Sequence, residues 1–133
     1  MSIKEETALQ QRIQTLIKKR PGSYIPKKNH GNMITITGLQ DLPFTYKGYS
    51  VYFEVKTPEA YATGKAVSEE QGIHCRLARK ATALTAIIWN TEQVTLILDE
   101  LDRCTKLGLS PQEMLQFMDE FFERRGLDDG TKY

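Results

Sequence analysis

Residues 41–56 constrain the fold more than any other stretch of this chain. Two short runs flank Lys47-Gly48, and the second, YSVYFEVK over 49–56, alternates strictly. In an extended chain Val51, Phe53 and Val55 point one way and Tyr52, Glu54 and Lys56 the other. Lys47-Gly48 is a tight turn, so 41–46 and 49–56 read as a hairpin with one apolar face. Such a face is stable only against a second layer.

Helical periodicity supplies that layer. Leu9, Ile13, Leu16 and Ile17 make one stripe over 3–19, opened by a Ser2/Glu5 capping box and stopped by Pro21-Gly22. Ser68-Glu69-Glu70-Gln71 is a second capping box, opening a helix through about Lys80. The run ALTAIIW over 83–89 is continuously apolar and reads as a buried strand. Thr91 is placed to cap the next helix, with Val94, Ile97, Leu98, Leu101 and Thr105 on one face and Gly108 at its end. Ser110-Pro111-Gln112-Glu113 is a third capping box with proline at the first helical position. The helix it opens carries Met114, Leu115, Phe117, Met118, Phe121 and Phe122 and closes at Gly126. With MITIT over 33–37 as a further strand and 21–32 and 57–67 as loops, the order is α-β-β-β-α-β-α-α.

Charge bears on which partners this scaffold admits. The net +1 is a cancellation. Residues 1–98 hold 13 Lys+Arg and 8 Asp+Glu (+5), and residues 99–133 hold 5 and 9 (−4). A basic body with an acidic end does not exclude a polyanion. No apolar run approaches the ~20 residues of a membrane span, so no membrane partner is expected. Met1 to Arg20 lacks the apolar stretch of a secretory signal. Cys75 and Cys104 make no disulfide scaffold and lack zinc-site spacing, so both read as small buried hydrophobes in a reducing cytoplasm.

The chemistry gathers on the hairpin. Pairing across Lys47-Gly48 brings Asp41 to the sheet end where Glu54 lies, with Lys56 on the face of Glu54. Two adjacent carboxylates repel, and a hard divalent cation such as Mg²⁺ relieves the repulsion while keeping several waters. A neighbouring lysine stabilises charge on an attacking water or a pentacovalent phosphate. Taken singly, Asp41 before Pro43 also fits a turn, and Glu54 with Lys56 also fits a solvated ion pair.

Three stretches, Gly38-Leu39-Gln40-Asp41-Leu42, Tyr52-Phe53-Glu54-Val55-Lys56-Thr57-Pro58 and Ser68-Glu69-Glu70-Gln71, resemble the PD-(D/E)xK nuclease superfamily. More narrowly they are similar to its virus-type replication-repair nuclease (VRR-NUC) domain in the small stand-alone viral or phage form. The resemblance covers roughly residues 5–100. It implies an α/β fold with an αβββαβ core, a mixed sheet flanked by helices, plus two extra C-terminal helices. The division would be a nuclease core over 1–100 and a helical extension over 101–133.

Carried over, the resemblance assigns metal binding to Asp41, Glu54 and the Val55 backbone carbonyl, with Mg²⁺ as cofactor and Mn²⁺ as substitute. Lys56 would assist the nucleophile. Gln71 would contribute from the start of its helix, a role compatible with its place in the capping box. Glu6 matches the first-helix glutamate and would hold a second metal ion, a position that equally fits plain solvent exposure, leaving Glu5 to the cap. Gln40 departs from the family's usual proline before the aspartate, with Pro43 following instead.

The implied activity is a metal-dependent DNA endonuclease acting on branched or four-way-junction DNA in phage or viral replication, recombination or repair, within the host cytoplasm. Lys27, Lys28, Lys65, Arg76, Arg79 and Lys80 are the candidate phosphate contacts, and each cluster alone also fits a solvated face. His30 fits phosphate contact or plain exposure; His74, three residues past Gln71, is placed to border the site or to be an ordinary surface histidine. Packing on its own domain explains part of the wide apolar arc of the last helix, and self-association as a homodimer explains the remainder. The competing readings are a catalytically silent nuclease fold used as a DNA-binding or interaction module, and an unrelated α/β protein.

Overall fold

A computed structural model describes residues 3–26, 41–63 and 67–133. The described elements are α1 (Ile3–Lys18), β1 (Ser23–Tyr24), β2 (Asp41–Tyr46), β3 (Tyr49–Val55), α2 (Pro58–Ala62), α3 (Glu69–Lys80), β4 (Leu84–Ile88), α4 (Thr91–Lys106) and α5 (Pro111–Arg125). The strand expected over 33–37 and the Ser2 cap lie outside the described residues. The protein is an α/β fold with a four-stranded mixed sheet flanked by helices.

The sheet order is β1-β2-β3-β4. The hairpin forms as the alternation requires: β2 and β3 pair antiparallel from Tyr46↔Tyr49 to Asp41↔Glu54. Lys47 takes a positive φ of 49° and Gly48 one of 89°, the backbone a two-residue hairpin turn needs. β4 joins β3 in parallel, with Val55 opposite Ile88. A parallel neighbour requires a crossover, and α2 and α3 provide it.

Alternation then sorts the two faces. Val51, Phe53 and Val55 meet Leu42, Phe44, Leu84, Ala86 and Ile88 in one buried cluster. Leu9, Ile13 and Ile17 of α1 cover it together with Val94, Ile97, Leu98 and Leu101 of α4. α3 lies on the opposite face, burying Gln71, Gly72, Cys75 and Ala78. β4 is buried along its whole length, which explains its continuous apolar sequence.

Several expectations need correcting. Residues 21–32 were expected as loop, yet Ser23–Tyr24 is a strand paired with Thr45 and Tyr46. Its existence depends on that partner, since Lys47 N–H also donates to Gly22 O at 2.8 Å. Within 57–67, read as loop, Thr57 caps a short helix by accepting from Ala60 N–H, with Pro58 at the first position. The cap of α4 is Asn90 rather than Thr91, in a reciprocal box with Gln93. Cys104, not Thr105, completes its buried face. The boxes at Ser68/Gln71 and Ser110/Glu113 form as read.

Packing on its own domain, expected to explain part of the stripe on α5, is present. Met114, Met118, Phe121 and Phe122 are buried in the protein's own core, with Leu115 and Phe117 partly buried against it. Beyond α5 the chain turns back to the outer edge of β4, where Ile87 N–H donates to Asp128 O at 2.8 Å.

Candidate active site

The register sets Asp41 directly opposite Glu54. Residues so paired in an antiparallel ladder have Cα atoms about 4.5–5.5 Å apart. Glu54 is the penultimate residue of β3, on the face covered by α3, and only 4% of it is exposed. A carboxylate buried this far needs donors, because losing water costs several kcal/mol uncompensated. Two meet its Oε1: Gln71 Nε2 donates at 2.7 Å, and Lys56 Nζ lies at 3.2 Å. Val55 is fully buried between the two charged residues, opposite Ile88.

Gln71 closes the capping box of α3 and also reaches the Glu54 carboxylate. Its Oε1 accepts from Ser68 N–H at 2.9 Å, closing the capping box, and its Nε2 faces Glu54. The same box orients the amide, because only its oxygen can take the Ser68 proton. The start of α3 is thereby joined to the end of β3 through one side chain. Burial, with the Glu54 charge second, pushes the nearby Cys75 thiol up to about 11. Cys75 is a buried neutral neighbour of the carboxylate, with little of the thiolate that ligation or nucleophilic attack requires. His74 is half-buried and packs edge-on against Tyr52, with ring centroids 5.5 Å apart.

Other candidates fall elsewhere. Lys27, Lys28, His30 and Lys65 lie outside the described residues. Arg76 donates to the backbone oxygens of Thr131 and Tyr133. Arg79 pairs with Asp119 and lies 3.9 Å from Asp129. Both arginines therefore tie α3 to the C-terminal segment, a use their spacing could not reveal. Lys80 is exposed. Arg20 bonds Asp99 and Asp102, which also accepts from Tyr46 and Lys47, so this basic group serves as a clamp between α1, the hairpin and α4. Glu6 is half-buried on α1. The acidic residue of α1 that lines a cleft at the end of β3 is Glu5.

Among the described residues no group of three or more His, Cys, Asp or Glu converges on one point. The register brings residues 41 and 54 opposite each other next to Val55, and two carboxylates with a backbone carbonyl would be an oxygen set of the kind Mg²⁺ takes and zinc does not. Among the described residues no helix is long and apolar enough to cross a membrane. Comparison with protein-family models, with curated proteins and with solved structures returned no match.

Proposed function

We propose that the protein is a Mg²⁺- or Mn²⁺-dependent DNA endonuclease built on a PD-(D/E)xK core of the VRR-NUC type. The observation that carries this reading is the Asp41↔Glu54 register, with Lys56 and Gln71 both meeting the Glu54 carboxylate. The sheet supports it secondarily, since an antiparallel β1-β2-β3 followed by a parallel β4 is the arrangement an αβββαβ core requires.

In this proposal Asp41, Glu54 and the Val55 carbonyl hold the divalent cation. When bound, the cation supplies Lewis-acid polarisation of the phosphodiester and a water of lowered pKa. Lys56, next to Val55 and two residues from Glu54, places a positive charge where negative charge develops on the phosphate. Gln71 holds Glu54 in one rotamer, so the carboxylate needs no rearrangement as charge builds.

The experiment is incubation of plasmid, linear duplex and four-way-junction DNA with Mg²⁺ or Mn²⁺. Cleavage lost in Glu54→Ala and in Lys56→Ala supports the reading, and faster cutting of the junction supports branched DNA as substrate. DNA binding with no cleavage in either metal would sink it in favour of a silent nuclease fold, for which the Lys56–Glu54 ion pair would be a structural contact.

A further inference from the structure

The cleft that Glu5 lines opens at the same end of the sheet, on the face of α1. It encloses about 400 Å³ and is lined by Glu5, Leu9 and Arg12 of α1, Thr57 just past β3, and Trp89 and Thr91 just past β4. The cleft lies beyond the carboxyl ends of β3 and β4, the parallel pair of the sheet.

Its aromatic wall is rigid. Tyr61 stacks on Trp89 with centroids 3.8 Å apart and planes 18° from parallel, and Tyr61 is itself held by its hydroxyl donating to Asp128 at 2.8 Å. The Trp89 backbone N–H donates to Gln93 Oε1 at 2.7 Å. An indole fixed in this way, at the border of an open cleft, suits stacking of a planar base, which any of the four bases can provide.

The polar wall is graded. Glu5 and Arg12 stand seven residues apart on one stripe of α1, about 10 Å along the helix. Arg12 is exposed and makes no ion pair with the described residues. The Arg12 end attracts one phosphate, and the Glu5 end repels a second. The recess therefore has the length and polarity for one nucleotide unit.

We propose that this cleft binds one nucleotide of a polynucleotide strand, its base against Trp89 and its phosphate against Arg12. The proposal rests on the nuclease reading only for taking a strand rather than a free nucleotide as ligand.

Trp89 is the single tryptophan of the chain, so its emission reports this cleft directly. The intact protein, in EDTA to prevent cleavage, is titrated with single-stranded octathymidylate, thymidine monophosphate and inorganic phosphate. The expected result is a saturable change in emission with the octamer. Arg12→Ala should weaken it roughly tenfold and Arg12→Lys less, as loss of one charge-assisted phosphate contact predicts. Arg12 is exposed and alanine is the best helix former, so the variant keeps the fold, which far-ultraviolet circular dichroism checks.

No saturable change with the octamer overturns the proposal, as does a change that Arg12→Ala leaves at full affinity. Equal affinity for thymidine monophosphate overturns the assignment to a strand. An Arg12-dependent emission change in a protein that cleaves nothing removes the nuclease reading and leaves this one. Metal-dependent cleavage with silent Trp89 emission does the reverse.

Discussion

Replacing Gln71 by alanine separates the two jobs of one amide. The substitution deletes the acceptor for Ser68 N–H and the 2.7 Å donor to the buried Glu54 carboxylate. The first bond is neutral and contributes about 1 kcal/mol; the second, to a charged acceptor, about 1.5–3 kcal/mol. The sum is about 2.5–4 kcal/mol, or roughly 10–16 °C in the melting midpoint at ~4 °C per kcal/mol for a domain of this size. Ser68→Ala, which removes only the hydroxyl accepting from Gln71 N–H at 3.1 Å, should cost about 1 kcal/mol. Gln71→Glu adds a diagnostic. It keeps the cap but sets a second carboxylate against Glu54, which raises one of their pKa values in the folded state. Protonation then stabilises the fold at low pH, and that stability is lost as pH rises through the raised pKa. This variant should therefore gain on the parent between pH 8 and pH 5. Thermal melts followed by circular dichroism measure all three. If Gln71→Ala is no less stable than Ser68→Ala, or Gln71→Glu tracks the parent across that range, the link from α3 to Glu54 is wrong.

Three further outcomes are open to measurement. A Cβ at position 72 would run into the Tyr133 backbone oxygen, so Gly72→Ala should cost about 1–3 kcal/mol in urea unfolding and make the C-terminal segment readily cleaved by protease. Burial pushes the Asp128 carboxyl up, but donation from Tyr133, Gly130 N–H and Tyr61 outweighs it and holds the group below its ordinary value. Its stabilisation is present above the unfolded pKa and lost as pH falls through the lower folded one, so Asp128→Asn should flatten the acid limb of stability below about pH 4. Burial pushes both thiols up to about 11, so Cys75 and Cys104 should resist a thiol reagent at pH 8 until the protein unfolds; fast labelling of the native protein contradicts their packing.

What could be read from the chain was what neighbours in sequence decide. β3 announces itself because Val51, Phe53 and Val55 need only an apolar layer, whichever helix provides it. Ser68 with Gln71 and Ser110 with Glu113 cap their helices through bonds spanning three residues. β1 was invisible because Ser23 and Tyr24 extend only against Thr45 and Tyr46. α2 was hidden differently: Thr57-Pro58 is a legible start signal, outweighed by the Ala and Gly that follow. The site divides along the same line. Asp41, Glu54 and Lys56 follow from a hairpin register, whereas the cleft at Trp89 joins α1 to two strand ends across the chain. Glu5, Leu9 and Arg12 at spacings of four and three were the signal available. The intrachain ties of Arg76 and Arg79 were hidden because their partners lie 40 or more residues away.

The return of the chain to β4 bears on solubility as well as on the site. β4 is the edge strand beside β3, and its sequence, LTAII, is buried throughout. A short apolar strand with an open edge is a template on which other chains add, the usual start of aggregation. Here Asp128 occupies that edge with a single backbone bond to Ile87, held by two tyrosine hydroxyls and a lysine. Removing residues after 126 would uncover the most aggregation-prone segment of the sheet while leaving every proposed catalytic residue in place. Loss of activity in such a truncation would then be a loss of soluble protein rather than of chemistry.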